Sequence, residues 1–152
     1  MASAEHKIDR EDIAMAIIGI VAEYNPFHTG HEYHIARSRE LLGADSTVIC
    51  VMSGDFVQRG EPALYSKFAR AEAACRCGAD LVIELPLPWA LSSAEGFARG
   101  SVGLLGALGA THLSFGSECG EVERLERIAE CLIDPAVNAE ISRELNENAN
   151  IS

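Results

Sequence analysis

The side chains best suited to chemistry stand in one run: Val21-Ala22-Glu23-Tyr24-Asn25-Pro26-Phe27-His28-Thr29-Gly30-His31-Glu32-Tyr33-His34. Its centre is an H-x-G-H box, His28 to His31, with His34 three residues further on. Two imidazoles around a residue without a side chain suit a phosphorylated ligand. Gly30 lets an anion approach the backbone, and a helix beginning there offers unpaired N–H groups and the positive end of its dipole. His28 and His31, as hydrogen-bond donors and partly as cations, would stabilise charge on an attacked α-phosphate and on departing pyrophosphate. His34 falls on the same helix face as His31, where it either reaches the phosphates or is a packed or solvent-facing residue. Three histidines at this spacing also fit a metal site, such as zinc, or plain surface polarity. The position of the box, between an apolar strand-like run and an amphipathic helical one, favours nucleotide binding.

Two further groups could serve the same ligand. Met52 to Pro62 follows the second strand-like run and contains the small residues Ser53 and Gly54 and the cation Arg59. Ser66-Lys67-Phe68-Ala69-Arg70 comes next, with Ser66 as a helix cap and Lys67 and Arg70 on one helix face. Arg59, Lys67 and Arg70 are expected to converge on one rim and hold phosphates or an acid substrate; a solvated helix face is the alternative. Ser53, Gly54 and Arg59 are assigned to the substrate, and Lys67 and Arg70 join His28 and His31 as candidate catalytic groups. The last strand-like run leaves through Phe115-Gly116-Ser117-Glu118. There Gly116 would admit an adenine or ribose and Glu118 could accept from hydroxyls, although a simple turn would read the same way. Trp89 is read as a packing residue, and the glycines between Glu95 and Gly106 as aids to close helix-to-sheet packing.

The elements that must position these residues follow from periodicity. Short β-branched runs are expected as strands at Met15 to Ala22, Thr47 to Met52, Leu81 to Leu85 and His112 to Phe115. Helix-period segments lie between them at His31 to Leu42, Ser66 to Cys77 and Ala94 to Leu108. Gly43, Gly78 and Gly109 each stand where a helix must stop. This alternation predicts an α/β domain, a Rossmann-like parallel sheet with helices on both faces, in which ligands bind at the carboxyl ends of the strands. Residues 1–13 read as an N-terminal extension, 14–120 as the nucleotide-binding catalytic domain, and 121–152 as an acidic helical tail, Glu121 to Ile133 and Pro135 to Asn146, that would open a further portion.

The bulk numbers agree with one globular domain: 152 residues, 48% hydrophobic and 23% charged. No apolar run approaches the ~20 residues of a membrane span, and Met1 to Asp12 carries no signal-peptide core, so a cytoplasmic protein with no membrane partner is expected. The five cysteines lack a repeated C-x-x-C spacing and read as reduced thiols, mostly packed as small apolar residues. The net charge of −11 works against a nucleic-acid partner, yet residues 118–152 alone hold nine acids against three bases.

Taken together, Gly19 to His34, Val51 to Arg70, Asp80 to Pro86, Phe97 to Ser101 and Phe115 to Glu118 closely resemble the tRNA(Met) cytidine acetate ligase family, as far as about Gly120. The resemblance implies a nucleotidyltransferase domain that uses ATP, with Mg2+, to convert acetate to acetyl-adenylate. The acetyl group would then pass to N4 of the wobble cytidine of elongator tRNA(Met). It places the family's nucleotide-binding stretch on Val21 to His34 and a further nucleotide-contacting glycine on Gly116. Members of that family are considerably longer, so tRNA binding belongs to them more than to these 152 residues. Two other readings stay open: a small-molecule nucleotidyltransferase acting on a phosphorylated metabolite, and a non-catalytic nucleotide-binding module.

Overall fold

A computed structural model describes residues 16–118 and 120–149, with side chains to residue 144. The strands are β1 (Ile17–Ala22), β2 (Thr47–Ser53), β3 (Leu81–Leu85) and β4 (His112–Ser114). The helices are α1 (Thr29–Leu42), α2 (Lys67–Arg76), α3 (Leu87–Ala90), α4 (Ala94–Ala107), α5 (Val122–Ile133) and α6 (Pro135–Ala149). The sheet is wholly parallel in the order β3-β2-β1-β4. The chain steps outward from β1 to β3 and then returns to the other side of β1, so the strand order reverses between β1 and β4. In parallel sheets the carboxyl edge at such a reversal is the usual ligand site.

Burial explains why the strands read as continuous apolar runs. On one face Ile18, Ile20, Val48, Cys50 and Met52 meet Ile35 and Leu42 of α1 and Ala74 of α2. On the other, Ile49, Val51 and Leu85 meet Ala90 of α3 and Phe97 and Leu105 of α4. The expected α/β sheet with helices on both faces is therefore present. Each fully buried aliphatic side chain contributes about 1.5–3 kcal/mol, and Ile18, Val48 and Val51 are completely enclosed. Gly19 is needed for this packing, because a Cβ there would lie 2.8 Å from Leu105 Cδ1. The helix stops also hold: Gly43, Gly78 and Gly109 have φ of 105°, 105° and 81°.

Several expectations shift. α1 begins at Thr29, two residues early, because a histidine caps it. The two-proline segment after β3 forms the short α3, unforeseen because it is only one turn. Trp89 packs only in part: its ring lies against Gly100, where a Cβ would come within 2.6 Å of it, but 42% of the residue is exposed. Gly103 and Gly106 face open space, so they do not bring α4 closer to the sheet. Among the described cysteines only Cys50 is buried; Cys75 and Cys131 are exposed, so they are not packed as apolar residues. Residues 1–15, including the expected start of β1 at Met15, and Cys119 lie outside the described residues.

The chain divides into two compact units, one ending at Gly116 and the other running from Ser117 onward. In the second, α5 and α6 pack on each other, and Asn138 Nδ2 donates to the Leu132 carbonyl at 2.5 Å across their junction. Among the described residues no helix is long and apolar enough to cross a membrane.

Candidate nucleotide site at the β1 and β4 exits

The H-x-G-H box closes on itself. The His28 Nδ1 accepts from the Gly30 amide at 3.1 Å, and the His31 Nδ1 accepts from the His28 amide at 3.2 Å. This is a reciprocal capping box with imidazoles in place of the usual hydroxyl and carboxylate. The rings stack at 3.7 Å between centroids and 28° between planes. An imidazole that accepts through Nδ1 must keep its lone pair there, so both rings are neutral with the proton on Nε2. Burial, and then the nearby His28 and His34, hold the His31 pKa below its ordinary value. The box thus offers Nε2–H donors, and the expected partial cation is not the form that holds the cap.

Gly30 has a more immediate reason than access for a phosphate. A Cβ there would lie 2.9 Å from His28 Cε1 and would push the capping ring away. The Gly30 and His31 amides are already taken, by the His28 ring and the His28 carbonyl. The Thr29 amide has no partner among the described residues, so at the helix start an anion would meet that N–H and the imidazole donors.

The residues ahead of the box hold it in place. Tyr24, with φ of 49°, is buried; its ring meets His31 edge-on at 4.8 Å and Phe27 at 4.9 Å, and its hydroxyl lies 3.2 Å from Cys50 Sγ. Burial pushes the Cys50 thiol up to about 11, so it is an inert partner. The Asn25–Pro26 bond is cis. The Glu23 carboxylate accepts from the Gln58 amide and the Asn25 side chain from the Leu64 amide, both at 2.7 Å, tying the loop after β2 to the exit of β1. Val21 and Ala22 end β1, while Thr29, Glu32 and Tyr33 are exposed on the first turns of α1.

The three expected cations separate. Arg70 is only 2% exposed, and its guanidinium donates to the carbonyls of Tyr65, Glu23, Ser53 and Gly54. It is a clamp on two strand exits and brings no free charge to the rim, which corrects the expectation that it meets a ligand. Burial lowers its pKa, though nearby Asp55, Glu23 and Glu84 oppose this. Lys67 stays at the rim with Glu84 at 2.7 Å and Asp55 at 3.7 Å, and the Glu84 bond raises its pKa. Arg59 is exposed beside Gly60, whose φ of 79° turns the loop. Ser53 is fully buried with its hydroxyl unpaired, and Gly54 lies under the Glu84 carboxylate, 2.1 Å from where a Cβ would stand. As placed, neither presents a side-chain contact to a substrate.

Gly116 is exposed just past β4; Glu118, also exposed, belongs to the second unit. The His34 ring turns toward β4, with its Nε2 2.8 Å from Ser114 Oγ. Sequence spacing could not have indicated Ser114, which lies 80 residues from its partner. Glu84 had a weak signal as an acid at a strand end. Among the described residues no group of three His, Cys, Asp or Glu side chains gathers to hold a metal ion.

A parallel sheet with a switch point, and a histidine-capped helix opening on it, define a nucleotidyltransferase-type α/β domain. The chain belongs to the HIGH Nucleotidyl Transferase family, which it matches over residues 15–152. It is 54% identical over 118 residues to a tRNA(Met) cytidine acetate ligase of Syntrophotalea carbinolica, and 52% identical over 121 residues to one of Acetivibrio thermocellus. These alignments cover 78% and 79% of this chain but only 28% and 29% of the relatives. A solved relative, Thermotoga maritima TmcAL bound with alpha-thio ATP, matches with a TM-score of 0.73 and 52% identity over 78% of this chain and 29% of its own. The apo form of the same protein matches with a TM-score of 0.72.

Proposed function

We propose that this chain is the ATP-binding, adenylating end of a tRNA(Met) cytidine acetate ligase. The observation that carries the reading is the neutral, self-capped histidine pair at the β1 exit, in a chain similar to a relative solved with an ATP analogue. ATP would lie with its triphosphate at the start of α1 and its nucleoside toward Gly116. An acetate oxygen would then attack the α-phosphorus, and the bond to the bridging oxygen would break to release pyrophosphate. The Nε2–H groups of His28 and His31 donate to the oxygens on which negative charge builds. Positioning and charge stabilisation suffice, since no protein atom becomes covalently bound.

Lys67, paired with Glu84 and Asp55 in the free chain, would trade Glu84 for the acid or a phosphate oxygen; Arg59 is the second candidate for the acid. Magnesium would enter on the nucleotide's phosphates, and no protein carboxylate is assigned to it. In the second step N4 of the wobble cytidine attacks the acetyl carbon and AMP leaves. Because the chain spans less than a third of its ligase relatives, we assign elongator tRNA(Met) to the whole enzyme and acetate activation to this chain. We assign it to the cytoplasm, where ATP and tRNA meet.

The test is acetate-dependent exchange of labelled pyrophosphate into ATP. Exchange with acetate supports the assignment. Pyrophosphate release with a phosphorylated metabolite and not with acetate would favour a small-molecule nucleotidyltransferase, and ATP binding without exchange would reduce the chain to a binding module.

A further inference from the structure

Two contacts join α1 to β4, and a third, within α1, closes them into a ring. His34 Nε2 lies 2.8 Å from Ser114 Oγ, Ser114 Oγ lies 2.7 Å from Ser38 Oγ, and Ser38 Oγ donates to the His34 carbonyl at 2.8 Å. Counting hydrogens fixes the direction of all three. A carbonyl only accepts, so the single hydroxyl hydrogen of Ser38 goes to His34 O. Ser38 then has none for Ser114, so Ser114 must donate to Ser38. Having spent its own hydrogen, Ser114 can only accept from the imidazole, and His34 must carry its proton on Nε2. The result is a closed ring that leaves the His34 imidazole and returns to its own backbone.

Ser38 is 3% exposed, so an interrupted ring would leave polar groups with little access to water. Burial also keeps the His34 pKa low, favouring the neutral ring. A neutral imidazole has one N–H, and here that N–H is committed to Ser114, so none is left for a phosphate. Meanwhile β4 is a three-residue strand that, among the described residues, pairs only with β1, and Ser114, its last residue, stands two before Gly116. The ring is a side-chain tether at the point where this short strand turns into the segment that holds Gly116.

We propose that His34 is a positioning residue: acting through Ser114, it sets the β4 exit and Gly116 for the nucleoside end of ATP, and it is not a phosphate ligand. The inference rests on the placement of ATP proposed above and identifies which part of the nucleotide each histidine serves.

The experiment compares calorimetric binding of ATP and of inorganic tripolyphosphate to the wild-type chain and to His34→Gln, His34→Leu, Ser114→Ala and the His34→Leu/Ser114→Ala double variant. His34→Leu and Ser114→Ala should each weaken ATP about tenfold, as loss of one directed hydrogen bond does, and leave tripolyphosphate unchanged. The double variant should be no weaker than either single one. His34→Gln, whose amide can donate from nearly the same place, should recover most of the affinity.

A parallel loss of tripolyphosphate in His34→Leu, or additive losses in the double variant, would overturn the inference while sparing the nucleotide reading. A wild-type chain that binds neither ligand would overturn both. If His34→Leu does not fold, nitrogen NMR of the wild-type imidazole decides: a proton on Nε2 supports the ring, and a proton on Nδ1 overturns it.

Discussion

Replacing Arg70 by methionine separates two accounts of the same residue. Methionine keeps most of the length and removes every donor. The carbonyls of Ser53 and Gly54 are buried and would lose the guanidinium, whereas those of Glu23 and Tyr65 belong to less buried residues that water can reach. Two buried acceptors left unpaired cost about 1–3 kcal/mol each, so about 4 kcal/mol in all. That is a large part of the ~5–15 kcal/mol that holds a domain together. With a urea slope of about 2 kcal/mol per molar, the unfolding midpoint should fall by about 2 M. Arg70→Lys keeps the charge and some of the donors and should lose about half as much. Urea titration followed by circular dichroism gives the stability, and calorimetry with ATP on the folded fraction gives the binding. An Arg70→Met protein with an unmoved midpoint but no affinity for ATP would show that the guanidinium grips phosphate, and the clamp would have to be abandoned.

Two further perturbations probe the box itself. Gly30→Ala places a methyl 2.9 Å from the His28 ring; it should displace that ring and lower the exchange rate by about tenfold or more, at about 1–3 kcal/mol of local strain, and an alanine variant with native exchange would show that the ring yields freely. The His31 pKa is depressed in the folded protein from its ordinary 6.5, so the unfolded chain binds the proton first as the pH drops. The stabilisation is therefore complete above pH 6.5 and is lost as the pH falls toward the folded value. Thermal melts taken from neutral to acid pH should decline more steeply for the wild type than for His31→Gln, and parallel curves would remove His31 from the account.

The strands and their order of appearance were legible because β-branched runs bounded by glycines leave few alternatives. The strand order, with its reversal at β1 and β4, is a long-range outcome that no local pattern specifies. The box was legible as residue types in a row, but its geometry was not. Histidine is not a customary cap, so α1 was expected to begin at His31, two residues past its start at Thr29. Arg70 misled for a physical reason: an arginine three residues from a lysine reads as one solvated face, while the helix turns its guanidinium under the sheet exits. The partners of His34 were invisible because 76 and 80 residues separate Ser114 from Ser38 and His34, and only the return of the chain to β1 brings them together.

Because each histidine ring seals an amide of the same short segment, and the glycine makes room for one of those rings, His28, Gly30 and His31 form a capping cassette, braced from ahead by Tyr24 and Phe27. Grafted behind the first strand of another parallel sheet, the cassette would bring its own helix start with it. Exchanging His28, Gly30 or His31 singly would spoil the others, so these three are better varied as a block than position by position.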